Sequence, residues 1–245
     1  MTKHRGKLWA LLVLALGGVS AFAAMQQTQV EAADHLDPPH RTNPDVAGAT
    51  ADRHADIADV YTWVRGTGAS RSLVTILSFS GPNPAAAGQA VPCDANVEYS
   101  LLISNNADLN PEFTLTMRLG ADDTGHCFYQ VSGVPGVPAG STLTGLVQHA
   151  TQHGTTVQTE VGLFDDAFFF DLTGFRALTS SGHLIQRNPD GSLMMSGGHP
   201  VLQFQNDRDF FAGQNTSAWI VELPLVAVSP SDQVLRVWAT TARHS

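Results

Sequence analysis

Lysine is nearly missing from this chain: it occurs at Lys3 and Lys7, and from residue 8 to the end there is none. A Schiff-base lysine, a P-loop lysine and a lysine general base are therefore excluded from everything beyond the first few residues. Long apolar runs are scarce as well. Past residue 33 no stretch approaches the roughly 20 residues that a membrane-crossing helix requires. The chain also has no GxSxG elbow, no SxxK and no GxGxxG, which removes the common motifs for serine acyl transfer and dinucleotide binding.

What is present begins with a leader. Lys3, Arg5 and Lys7 precede an apolar run from residue 8 to about residue 24, and Ala21-Phe22-Ala23 offers a small-x-small cleavage site. This is the pattern of a cleaved secretory signal peptide. A second site at Val30-Glu31-Ala32 would start the mature chain close to Asp34. The expected destination is the periplasm or the cell exterior. Both cysteines, Cys93 and Cys127, fall in the exported part, so a disulfide between them is expected. Residues 1–33 carry three positive charges and one negative, so the remainder is two units more negative than the −9 of the whole chain. Nucleic acid and anionic membranes are poor partners for such a surface, and cations are good ones.

From residue 60 onward the chain reads as short apolar or alternating runs between Gly, Pro, Asn and Asp clusters. Candidate strands are 60–64, 73–79, 97–104, 112–119, 127–131, 156–161, 168–172, 184–186, 201–204, 218–223 and 234–240, rich in β-branched and aromatic residues. Asn188-Pro189-Asp190-Gly191 predicts a hairpin turn. About ten short strands in one domain (59–245) predict an all-β sandwich or related barrel, with an extended polar arm over 34–58 and little helix. The one helix candidate is 141–153, STLTGLVQHATQH, with Leu143, Leu146 and Val147 at helical spacing and Ser141 as cap.

Acidic and amide side chains are the most conspicuous chemistry. In GLFDDAFFFDL (162–172), an extended strand spaces Asp165 and Asp171 about 20 Å apart at roughly 3.3 Å per residue. One metal cannot be held from both ends. Asp165 and Asp166 are therefore site candidates, Asp171 ends the strand or caps the following turn, and the phenylalanines read as core. A second acidic loop is Asn206-Asp207-Arg208-Asp209, where hard oxygens would suit calcium, or Asx turns and an Arg208 ion pair would serve structure alone. A third cluster lies in the arm, with His35, His54, Asp56 and Asp59 among its members. His149 and His153 have the i, i+4 spacing of a helix-borne pair but lack the glutamate of HExxH.

In order, these stretches resemble a bacterial secreted family, domain of unknown function 4331. DHLDPP (34–39) loosely matches its short His-containing opening segment, and ADIADVYTWV (55–64) its ADxxDVYxxV strand. NVEYSLLISNNAD (96–108) matches a hairpin pattern, and GLFDDAFFFDL its GxxDDPFFxDL segment. NDRDFFAGQNTSAWIVELP (206–224) and VWATTAR (237–243) match the last two motifs. Leu36 stands where the family tends to have arginine and Ala167 where it tends to have proline. The family name confers no activity. The resemblance implies that Asp/Asn-rich motifs from distant stretches meet in space, so Asp59, Asp165, Asp166, Asn206 and Asp207 with His35 form the expected cation site, calcium first and a transition metal second.

Three readings follow. The leading one is an exported, cation-binding β-sandwich that serves as a binding or structural module for a protein or cell-envelope partner. The second is a metal-dependent hydrolase or oxidoreductase using His35 or His54 with the aspartates, and the third a metal-free module that recognises a partner through its loops.

Overall fold

Residues that alternate between buried and exposed build most of the chain into strands. The computed structural model describes residue 39 and residues 50–106, 108–154, 156–231 and 233–244. The leader, His35 and most of the arm lie outside these residues. The strands are β1 (Ile57–Arg65), β2 (Ser72–Pro84), β3 (Val97–Ser104), β4 (Phe113–Ala121), β5 (Cys127–Ser132), β6 (Thr142–Leu146), β7 (Thr151–His153), β8 (Val157–Asp165), β9 (Met195–Ser196), β10 (His199–Pro200), β11 (Gln214–Pro224) and β12 (Arg236–Arg243). Two helices, α1 (Leu172–Ser181) and α2 (Leu225–Val228), complete the list with two short 3-10 turns.

One sheet has the order β1-β2-β11-β8-β7 and the other β12-β3-β4-β5-β6, with β9 and β10 forming a separate ribbon. Neighbours are antiparallel throughout. The expected all-β sandwich is what the chain forms. Val97, Tyr99, Leu101 and Ile103 of β3 face inward at every second position, as do Leu115, Met117 and Leu119 of β4. They meet Leu77 and Phe79 of β2 and Trp219, Val221 and Leu223 of β11. Burying one such side chain contributes about 1.5–3 kcal/mol. Two tyrosines also tie the sheets together. The rings of Phe79 and Tyr99 lie 4.3 Å apart, and the buried Tyr129 hydroxyl donates to the Thr159 carbonyl at 2.9 Å.

Segment 141–153 is not a helix. Leu143 turns inward while Thr142 and Thr144 stay exposed, a period of two that pairs β6 with β5. The chain then crosses from one sheet to the other through residues 147–150. There Gln148 takes a positive φ of 69° and donates its N–H to the Val161 carbonyl at 2.7 Å. Gly145 lies flat against Tyr129, where an added Cβ would meet the phenol oxygen at 2.2 Å. With no helix, His149 and His153 do not share a helical face. His153 sits on β7, its Nε2 3.1 Å from Thr159 Oγ1.

Segment 168–172 is not a strand either. Residues 166–170 run as irregular chain, and Asp171 N-caps α1 by accepting the Gly174 N–H at 2.8 Å. Gly182 closes the helix in the left-handed region at φ 69°. Phe168 and Phe170 are half-buried against Phe211 and Phe175, outside the main core, and Phe169 is 54% exposed. The Asn188–Gly191 turn forms as expected, with the Gly191 N–H on the Asn188 carbonyl at 2.9 Å. The expected arm is shorter than 34–58: Arg53–Ala55 make a 3-10 turn and β1 begins at Ile57.

Cys93 and Cys127 are bonded across 34 positions, fastening the loop before β3 to the start of β5. Closing a loop of that length removes about 4 kcal/mol of unfolded-state entropy in the chain-entropy model. The Cys93→Ala/Cys127→Ala double variant should therefore melt on the order of 10 °C lower by calorimetry, and an unchanged melting temperature would refute a stabilising role.

Candidate functional site

The arm's end is held in place by charge. Arg243, near the end of β12, donates through Nη2 to Asp52 Oδ1 at 2.7 Å and to Asp94 Oδ2 at 2.8 Å, and through Nε to Asp52 Oδ2. Asp94 Oδ2 also lies 2.9 Å from His54 Nδ1. A carboxylate can only accept, so Nδ1 carries the proton in this contact. The backbone on both sides of His54 is fixed as well. Tyr99 Oη donates to the His54 carbonyl at 2.6 Å, and Thr241 Oγ1 to the Ala55 carbonyl at 2.7 Å. Ser80 N–H reaches the Asp56 carbonyl at 2.9 Å from the other sheet.

These constraints shape the electrostatics. The Arg243 hydrogen bond holds the Asp94 carboxyl well below the usual carboxylate range. Burial works against this, and His54 and the Asn96 N–H add to it. Asp52 and then Asp94 raise the Arg243 guanidinium above its ordinary value. Burial pushes the Tyr99 phenol up.

Against this anchored turn opens a cleft of ≈ 270 Å³, lined by Arg53, His54, Ser80, Asn83, Gln89 and Ser217, with Asp56, Leu163 and two prolines also on its walls. Ser80 has a positive φ of 53°, and its carbonyl accepts Asn83 Nδ2 at 2.7 Å. Gly81 packs onto Thr216, where an added Cβ would lie 2.4 Å from Oγ1 and 2.9 Å from Cα. Only glycine allows that approach of β2 to β11. Gln89 Oε1 accepts Asn215 Nδ2 at 2.9 Å. The Ser217 hydroxyl is buried with no hydrogen-bond partner among the described residues.

The expected cation ligands divide. On β1, Asp59 receives the Tyr61 hydroxyl on Oδ2 at 2.9 Å, and its own N–H donates to Ser78 Oγ at 2.9 Å. Asp166 is buried, and its Oδ1 accepts the Phe168 N–H at 2.9 Å. Burial raises the Tyr61 phenol, with Asp59 and then Asp166 raising it further. Asp59 touches that phenol, while Asp166 acts on it through charge alone. Asp165 is exposed at the end of β8, opposite Asn215, and Asn206 and Asp207 are exposed in the loop before β11. His35 lies outside the described residues. Among the described residues no three His, Cys, Asp or Glu side chains are grouped to share a metal ion.

The two acidic stretches do meet, but through other residues. Asp171 is buried rather than peripheral. Its Oδ2 accepts Arg208 Nε at 3.1 Å and the Gln205 N–H at 2.8 Å. Burial pushes the Asp171 carboxyl up. The N–H groups of Gly174 and Gln205, together with Arg208, outweigh that and hold it low. Asp209 Oδ1 accepts the Phe170 and Phe211 N–H groups at 3.3 and 3.0 Å. Arg53, Gln89, Asp94, Ser217 and Arg243 are not among the expected site residues, although Arg243 closes a matched motif. The available signals were Asp94 beside Cys93 and the arginine ending VWATTAR.

No protein-family model, curated protein or solved structure matches the chain.

Two outcomes test the anchor. Arg243→Met leaves two carboxylates facing each other at low exposure and should lower unfolding free energy by about 3 kcal/mol in urea titrations. Because the folded Asp94 pKa is depressed, its contribution is present above the unfolded value near 4 and disappears as pH falls toward the folded one. Wild type should accordingly lose stability below about pH 4 more steeply than Asp94→Asn, and equal acid slopes would remove Asp94 from the account.

Proposed function

We propose that this chain is an exported, disulfide-linked β-sandwich that acts as a binding module, taking its ligand in the cleft beside His54. The observation that carries the reading is a cleft with hydrogen-bonding groups left uncommitted, built on backbone fixed from both sheets. Concave sites with a few convergent polar groups on a preformed frame are where small ligands bind. Export is supported by the leader-like N terminus and by the disulfide, which persists in oxidising compartments. Membership of the domain of unknown function 4331 family belongs to the same proposal and rests on the motif order.

A second reading is a cation near Asp59 and Asp166, favoured by the negative charge that both bring to bear on Tyr61. Carboxylate oxygens suit calcium first, and a ligand from His35 would shift the preference toward a transition metal.

Ala90 is exposed at the cleft wall, so Ala90→Trp should fill the cleft without disturbing the core. In thermal-shift screens of sugars, amino acids, dipeptides and organic acids, hits on wild type should vanish in Ala90→Trp. Hits that persist, or none at all, would end the cleft reading. For the cation, protein purified without chelator should contain metal by elemental analysis and melt lower after EDTA; no metal and no shift would dismiss it.

A further inference from the structure

The uncommitted groups in the cleft are unequal in kind. Arg53, exposed at the rim, makes no ion pair and no side-chain hydrogen bond among the described residues. Gln89 spends its oxygen on Asn215 Nδ2, which fixes the amide's orientation and leaves both its N–H donors unused. Ser217 carries a hydroxyl that is buried and unpartnered among the described residues. Three donor groups therefore wait for acceptors. A guanidinium matches a carboxylate in charge and in its two-pronged geometry.

A second set of groups lines the same cleft. Asn83 has given a side-chain N–H to Ser80 and keeps Oδ1, and His54, with Nδ1 on Asp94, keeps Nε2. Acceptors of this sort suit ligand hydroxyls. The volume, ≈ 270 Å³, is at the small end for ligand sites.

We infer that the cleft binds a small hydroxylated carboxylate of the sugar-acid type, its carboxylate on Arg53 with Gln89 and Ser217, and its hydroxyls toward Asn83 and His54. This rests on the binding-module reading above and assigns it a ligand class.

The test is calorimetric titration of the full mature chain with D-glucuronate, D-glucuronamide, glucose and lactate. Glucuronate should bind, and the neutral amide and glucose should bind at least about tenfold more weakly, since a charged hydrogen bond is being removed. Arg53→Gln should weaken glucuronate by a similar factor. Ser217→Ala should weaken it too, while leaving the melting temperature unchanged or raised, because the buried hydroxyl has no internal partner to lose. A Ser217→Ala that melts lower would make that hydroxyl structural and overturn its assignment. If glucuronamide binds as well as glucuronate, or Arg53→Gln binds unchanged, carboxylate recognition is overturned while the cleft remains a binding site. If neither glucuronate nor lactate binds, the ligand class is overturned, and the fate of the cleft itself is read from whether any other ligand class is lost in Ala90→Trp.

Discussion

One arginine governs the end of this sandwich. Arg243 lies on the last strand, yet it holds Asp52 from the arm and Asp94 from the loop before β3, and through Asp94 it holds the ring of His54. Each charge sits at low exposure, so each carries a desolvation cost that only the full set of hydrogen bonds offsets. The arrangement is therefore close to all-or-none. It also explains the disulfide's position, since Cys93 immediately precedes Asp94 and is tied to β5. The covalent link restrains the loop, the loop presents the carboxylate, and the carboxylate orients the imidazole that walls the cleft.

The two sheets contribute differently to that cleft. β2 and β11 bring the close approach of Gly81 to Thr216, with Asn83 and Ser217 beside it. β3 and β12 bring the charged anchor and no cleft wall of their own. The cleft is thus mounted on a joint between layers: one layer sets the floor and the other sets the angle of the arm.

Legibility in the sequence follows range. Strands with a clear period of two, such as 97–104 and 218–223, stand in the structure nearly as read, because alternation is a local consequence of one-sided burial. The segment 141–153 misled because Leu143, Leu146 and Val147 fit a helical spacing, while the Thr142–Thr144 alternation that pairs with β5 is only a few residues long. The helix after Asp171 was visible in its cap and in Gly182, but three phenylalanines argued more loudly for a strand. The candidate site was legible in outline. Acidic motifs do bring distant stretches together, yet the contacts are made by Asp171 with Arg208 and by Asp209 with the Phe170 backbone, rather than by Asp165 with Asn206 and Asp207. Partner choice among similar side chains depends on where the chain has already been placed. No local pattern ties Asp52 to Arg243 across 191 positions.

The crossing at residues 147–150 joins the edge strand of one sheet directly to the edge strand of the other, as the spine joins two covers of a book. On the far side, β1 and β12 are fastened by the Thr241 hydrogen bond to Ala55 and the Arg243 pair with Asp52. The chain also passes between the sheets from β2 to β3 and from β11 to β12, so the clasp adds to covalent links at that edge. Losing the Arg243 pair would loosen the β1–β12 edge first, and the cleft beside His54 lies at that edge.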